Sequence, residues 1–327
     1  MNSFGRIFRI SIFGESHGPM VGITIDGVLP GIELTIADFE DKLQRRKGGI
    51  LPGTTPRKEE DKPIFVSGLF NNKTTGAPLT IIFENKNVIS KDYEELRKIP
   101  RPGHADFVAS QKFKGFEDYR GGGHFSGRLT LCLVAAGVVA DKIINQLSPS
   151  VTIHSSIIEI GGEKELDSAI QKAIEAQDSI GGILECKISN LPIGIGEPFF
   201  DSLESLISHA VFSIPAVKGL EFGAGFHAAK MKGSDHNDAL LDESGKYSSN
   251  HAGGIAGGLS NGNEIVFRIA VKPTSSTPQV QSSLNTHSGE VESFSIKGRH
   301  DLCIALRVPP VLEAVSACVI ADLLMSI

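Results

Sequence analysis

The sequence predicts an α+β fold, a single-domain layered sandwich of antiparallel β-sheets around buried helices, and two patterns carry that prediction. Several segments alternate apolar and polar residues as half-buried strands do, and two longer ones are apolar on nearly every side. Val21, Ile23 and Ile25 point one way while Thr24 and Asp26 point the other. Leu184, Cys186 and Ile188 alternate with Glu185 and Lys187, and Ile265, Phe267, Ile269 and Val271 repeat the period. Such alternation suits sheets with one wet face, which are usually antiparallel. Residues 129–144 and 311–327 read as core helices, whereas Leu166, Ala169, Ile170, Ala173 and Ile174 mark one apolar stripe of a surface helix. A shorter helix is expected to start at Thr35, its hydroxyl capping and Asp38 reaching back, and to run to Arg45-Arg46-Lys47.

No fixed-period repeat, low-complexity tract or Pro/Ser-rich linker interrupts the chain, so one domain over residues 1–327 is expected. Hydrophobic residues make up 40% and charged residues 21%, with a formal charge of −6. That balance argues against a general nucleic-acid or anionic-membrane surface, which would be basic. The longest uncharged apolar stretch, residues 129–140, is too short to span a bilayer. No signal-peptide pattern is legible at the N-terminus, so a cytoplasmic location is expected. Cys132, Cys186, Cys303 and Cys318 are widely spaced and read as buried free thiols.

Chemistry-bearing residues concentrate in glycine-braced loops. Phe13-Gly14-Glu15-Ser16-His17-Gly18 sets a carboxylate, a hydroxyl and an imidazole between glycines; alone it reads more readily as a turn with a solvated histidine. Arg101-Pro102-Gly103-His104-Ala105-Asp106 leaves a second imidazole between a cation and a carboxylate. Two such histidines suit acid/base work, because imidazole titrates near neutrality. Asp118 to Arg128 (DYRGGGHFSGR) brings glycine amides, Ser126 and two arginines to the start of a buried helix, where an anion is favoured. Lys272-Pro273-Thr274-Ser275-Ser276 follows a strand with one cation and three hydroxyls, enough to hold a phosphate or simply to form a turn. Lys297-Gly298-Arg299-His300-Asp301, followed by Arg307, lies between apolar segments. Arg45, Arg46, Arg101, Arg120, Arg128, Lys272, Arg299 and Arg307, gathered in an acidic chain, point to a compact site for a small polyanion. HExxH, HxxxH and cysteine pairs are absent from the sequence, as are GxGxxG and GxxxxGK[ST], so zinc, Rossmann and P-loop chemistry are unsupported.

In this order, FGESHG, the RRK helix end, RPGHAD, DYRGGG, the SNHAGGIAGG loop at 249–258, KPTSS and KGRHD resemble the chorismate synthase family across essentially the whole chain. The resemblance implies an anti-1,4-elimination that converts 5-enolpyruvylshikimate 3-phosphate to chorismate and phosphate. It also implies a requirement for reduced FMN without net redox change, electron density being lent transiently as phosphate leaves. By similarity His17 would protonate the departing phosphate, and His104 would act at the flavin N1/C2 edge. Asp301 would tune proton removal through flavin N5, helped by Ser16 and Ser126. FMN would be held by His124, Phe125 and Ser126, by Pro215 and Ala216, by Gly257, by Lys272, Pro273, Thr274, Ser275 and Ser276, and by Arg299. Substrate anions would fall to Arg46, Arg101, Arg128 and Arg299, with Arg46 also at a position assigned to NADP contact.

A homotetramer is implied as well. With no reductase domain legible, an external flavin reductase is the expected source of reduced FMN and NADPH the further candidate. The chain departs from the family where HFSGR replaces the usual RSSAR, and where Pro52 stands at a customary arginine. Those departures keep open a catalytically altered paralogue or a non-enzymatic module that binds an anionic metabolite. Glu15 is expected to pair with an arginine.

Overall fold

A computed structural model describes residues 2–57, 59–87, 97–243, 245–296 and 300–327. The first third of the chain supplies β1 (Ser3–Phe4), β2 (Arg9–Gly14), β3 (Met20–Asp26), α1 (Ala37–Arg46), β4 (Ile64–Ser67), the small pair β5 (Leu69–Phe70) and β6 (Lys73–Thr74), and β7 (Leu79–Glu84). Five of these strands form one antiparallel sheet in the order β1-β2-β3-β7-β4. Val21 faces Phe83, Ile23 faces Ile81 and Ile25 faces Leu79 across β3 and β7, and all six side chains are fully buried. Each such residue contributes about 1.5–3 kcal/mol by leaving water.

The middle of the chain adds α2 (Asp106–Phe113), α3 (Thr130–Leu147), β8 (Thr152–Ile160), α4 (Leu166–Ala176), β9 (Gly182–Ser189), α5 (Leu203–Val211) and β10 (Val217–Phe222). After the single turn α6 (Gly233–His236) come the tight hairpin β11 (Ile255–Ala256) and β12 (Leu259–Ser260), then β13 (Ile265–Val271). The second antiparallel sheet has the order β10-β13-β9-β8, with Phe267 opposite Cys186 and Ile269 opposite Leu184. A last hairpin, β14 (Gln281–Leu284) and β15 (Val291–Phe294), precedes α7 (Pro309–Leu324).

The two all-round apolar helices lie between the sheets. α3 packs on β2 and β3, α7 packs on β8 and β9, and the two helices pack on each other. One continuous hydrophobic cluster therefore joins both sheets to both helices. Pro309 and Pro310 start α7, as a residue without an N–H can at the first turn. Near the other end of α7, the Asp322 carboxylate accepts the backbone N–H groups of Arg6, Ile7 and Phe8 at 2.7–3.1 Å, which ties the turn between β1 and β2 to the core. All four cysteines are buried and unbonded, and burial raises their thiols above the ordinary range, Cys132 to about 12 and Cys303 to about 11. Among the described residues no helix is long and apolar enough to cross a membrane.

The start of α1 differs from expectation. Asp38 reaches back to the Thr35 N–H at 2.7 Å, but the Thr35 hydroxyl donates to the same carboxylate at 3.0 Å instead of capping, and α1 begins at Ala37 without a side-chain cap. The hydroxyl proton goes to the charged acceptor, where its bond is stronger.

At Gly137, α3 and α7 meet closely: a Cβ there would fall 2.4 Å from Cβ and 2.5 Å from Cα of Ala314. Alanine ordinarily favours a helix over glycine by about 1 kcal/mol, but this substitution forces one backbone away from the other, at about 1–3 kcal/mol. Gly137→Ala should therefore lower stability in urea unfolding; a gain would show that the helices separate freely.

Candidate active site

The loop after β2 is held by a backbone bond to a loop over a hundred residues away and by the Asn85 side chain. β2 ends at Gly14 with φ +97°, the Ser16 N–H donates to Gly123 O at 3.1 Å, and Asn85 Nδ2 donates to the Glu15 and Gly18 carbonyls at 3.0 and 2.9 Å. Gly121, Gly122 and Gly123 all have positive φ. A Cβ on Gly121 would lie 2.6 Å from His17 Cδ2 and 2.9 Å from Ser16 Oγ, and one on Gly122 would lie 3.4 Å from His104 Cε1. The glycine backbone thus touches the first histidine loop at one residue and the second at the next, which brings His17 and His104 into one neighbourhood. His17 is 8% exposed; among the described residues it is Ser16 and Gly121, not His17, that line the adjacent cavity.

His104 is oriented by a carboxylate. Its Nδ1 lies 2.5 Å from Asp106 Oδ1, so Nδ1–H donates there and Nε2 is left on the side of Gly122. Arg101 grips Asp106 with Nε and Nη2, both at 2.7 Å, and donates from Nη1 to Ser276 Oγ at 3.0 Å. Burial favours the neutral form of Asp106, but the hydrogen bonds from Arg101 and His104 outweigh it and hold the carboxyl far below its usual range. Lys272 Nζ donates to Gly103 O and Ser275 Oγ, both at 2.9 Å, so the loop 272–276 is fastened to 101–106 at several points.

Four further charged groups form a buried floor. Asp61 lies between two guanidinium groups, bonded to Arg128 Nη1 and 3.6 Å from Arg46 Nη1. Arg46 also donates to Thr130 Oγ1 and to the Gly127 and Arg128 carbonyls, and Arg128 to Asn85 Oδ1. Burial, then the neighbouring Arg307, pushes the Arg46 guanidinium down from its ordinary value; arginine nonetheless keeps its proton in proteins. The direction marks a place where an incoming anion would be stabilised. Asp301 accepts from Thr55 N–H at 2.8 Å and from Arg307 Nη1 at 2.9 Å.

These groups surround a cavity of about 1130 Å³. Among the described residues, seven lysines and arginines line it (Arg46, Lys47, Arg57, Arg101, Arg128, Lys272, Arg307) against three carboxylates (Glu59, Asp61, Asp301), inside a protein whose overall charge is −6. Ser16, His104, His124, Phe125, Ser126, Pro215, Ala216, Pro273, Thr274, Ser275 and Ser276 line the same cavity. Ala216 holds φ +73°, an unusual backbone for a residue with a Cβ, and the buried Thr274 Oγ1 has no hydrogen-bond partner among the described residues. His124 is tied to Gly14 O at 2.9 Å and Asn2 Oδ1 at 3.1 Å, while Phe125 packs on Phe113 with ring centroids 6.2 Å apart.

Several expected positions are placed elsewhere. Gly257 does not line the cavity: it is exposed in the turn between β11 and β12, where its positive φ serves the hairpin. Arg299, with Lys297 and Gly298, lies outside the described residues. Arg45 is paired with the buried Glu313 and Arg120 with Asp118, away from the cavity. Glu15 has no ion pair among the described residues; its carboxylate feels Arg120 only through the field. Pro52 is exposed and outside the cavity wall. Conversely, Thr55, Arg57, Glu59 and Asp61 form one side of the site, and only their alternate spacing in a polar stretch could have signalled it.

Residues 8–325 match the sequence profile of a family described as "Chorismate synthase". The chain belongs to the chorismate synthase family. It is 64% identical over 325 residues to the chorismate synthase of Chitinophaga pinensis, covering 99% of this chain and 97% of that one. It is 43% identical over 351 residues to that of Dehalococcoides mccartyi, covering 98% and 96%. A solved structure described as "Crystal Structure of Chorismate Synthase" shares the fold with a TM-score of 0.75 at 24% identity, over 99% of this chain and 93% of that one. In this chorismate synthase family member the stretch His124 to Arg128 keeps a local bond in which the Ser126 hydroxyl accepts the Arg128 N–H at 3.3 Å.

Because the folded-state pKa of Asp106 lies below its unfolded value of about 3.9, its contribution to stability is complete above that value and is lost as pH falls. Asp106→Asn should lower stability at pH 7 by about 2–3 kcal/mol and flatten the acid limb of the stability curve. Denaturant unfolding at pH 7 and pH 3 measures both; parallel acid limbs would remove Asp106 from the account.

Proposed function

We propose that the cavity carries out the phosphate elimination of a chorismate synthase: 5-enolpyruvylshikimate 3-phosphate loses its phosphate and its C6 hydrogen to give chorismate, a carbon–oxygen lyase reaction of the shikimate pathway to aromatic amino acids. The observation that carries this reading is the excess of cations around one cavity that also holds two glycine-braced histidine loops at its edge. The substrate bears two carboxylates and a phosphate, and unit charges about 4 Å apart at a partly wetted site attract by about 4 kcal/mol. Arg46, Arg101 and Arg128 act mainly as fixed positive charge, since most of their N–H groups are already committed to Asp61, Asp106, Ser276, Asn85 and backbone carbonyls. Such committed groups need no reorganisation when an anion arrives.

His17 is the proposed proton donor to the departing phosphate, with Ser16 beside it. His104 keeps its tautomer through Asp106, so that Nε2 is the atom that exchanges a proton with bound ligand. Asp301 is held as an acceptor by Arg307 and the Thr55 amide and serves proton removal from that fixed position.

The residues present fit FMN. Pro215–Ala216, Lys272–Ser276 and His124–Ser126 all line the cavity, Ala216 with a strained backbone and Thr274 with a buried hydroxyl that has no partner among the described residues. When bound, reduced FMN supplies transient electron density to the allylic system with no net redox change. Gly257 does not line the cavity. The reading carries with it a homotetramer, a cytoplasmic location, one catalytic domain over 1–327, and reduced flavin supplied by an external reductase or at the expense of NADPH. Phe199 and Phe200, 85% and 93% exposed, support burial against another copy.

Incubated anaerobically with chemically reduced FMN and 5-enolpyruvylshikimate 3-phosphate, the protein should release phosphate and develop chorismate absorbance together. Phosphate release without chorismate, or neither, overturns the reading. His17→Ala should cut turnover by about two orders of magnitude or more; an unchanged rate removes it as the proton donor.

A further inference from the structure

Between Thr55 and Asp61, Thr55, Arg57, Glu59 and Asp61 line the cavity while Pro56 and Glu60 are exposed. Three of the inward residues have partners that account for them, in Asp301, in the Lys86 and Asn87 amides, and in the Arg46–Arg128 pair. Arg57 is different. Its Nε and Nη2 donate to Glu59 Oε1 at 3.2 and 2.8 Å, Nη2 also approaches Ser16 O at 3.4 Å, and Nη1 donates to Ser16 Oγ at 3.2 Å. Among the described residues these bonds take four of the five N–H groups of the guanidinium and leave one on Nη1, in a side chain that lines the cavity beside Ser16.

Glu59 is itself fixed by two backbone amides, so the fork is held rigid before any ligand arrives. The side chain is 19% exposed, open enough to be reached and sheltered enough for its charge to be felt.

We infer that Arg57 is a substrate-binding residue of this site: its remaining Nη1–H takes an anionic oxygen of the substrate, and the same nitrogen holds the Ser16 hydroxyl beside that oxygen. The inference rests on the proposed reaction and adds to it an anion ligand that none of the sequence patterns announced. It also explains why a carboxylate, Glu59, stands in an anion-binding wall: it aims the guanidinium.

The competing explanation is that Arg57 only neutralises Glu59. Arg57→Ala alone leaves a sheltered carboxylate unpaired and is open to misfolding, so the deciding variant is Arg57→Ala/Glu59→Ala, which removes the pair together. Calorimetric titration with 5-enolpyruvylshikimate 3-phosphate should show Kd raised about ten-fold or more in the double variant, with KM rising in parallel and kcat falling as Ser16 loses its donor. Wild-type Kd and KM in the double variant would overturn the inference while leaving the reaction intact. A wild-type protein that fails to bind this substrate would overturn the functional reading and the inference with it.

Discussion

The site depends on the close approach of one glycine backbone to two separate loops. Gly121 presses on His17 and Ser16, Gly122 on His104, and Gly123 accepts the Ser16 N–H through its carbonyl. Any side chain at Gly121 or Gly123 would collide with neighbours that cannot all yield: at Gly123 a Cβ would fall 1.9 Å from Asp118 O. All three glycines also have backbone angles that residues with a Cβ rarely adopt. The histidines are therefore placed by the main chain, which is stiffer than a chain of side-chain contacts.

Charge is handled by the same logic of prior commitment. Moving a guanidinium from water into a protein interior costs several kcal/mol, and this cavity gathers several. The fold offsets that cost with carboxylates paired to the cations: Asp61 between Arg46 and Arg128, Asp106 with Arg101, Asp301 with Arg307, Glu59 with Arg57. Each acid fixes the direction of its arginine and leaves the wall cationic in total. A polyanion then meets charges that are already oriented, and little free energy goes into ordering them.

Much of the fold was legible because its signals are local. Alternation at Val21–Ile25, at Leu184–Ile188 and at Ile265–Val271 became β3, β9 and β13, and the two helices apolar on all sides became the buried α3 and α7. The glycine-braced loops were legible for a related reason, since runs such as Gly121–Gly123 belong to few ordinary surface structures. The stretch Thr55–Asp61 was not, because it is neither apolar nor paired in a sheet, and its inward residues are the charged ones. Arg101 was read as a ligand for anions, but that reading could not see Asp106 and Ser276 closing around it.

By itself the sequence determined the layers, the buried thiols, the residue types available for acid/base work, and the family. The layers, the thiols and the residue types follow from periodicity and composition, which act between near neighbours, and the family from the resemblance of the ordered motifs. Only the tertiary structure decided which arginines are already bonded, that Gly257 stands outside the cavity, that His17 and His104 flank one glycine pair, and that Arg57 faces Ser16. Those facts depend on segments separated by tens to hundreds of residues meeting at hydrogen-bond distance, and no local pattern encodes where another loop will pass.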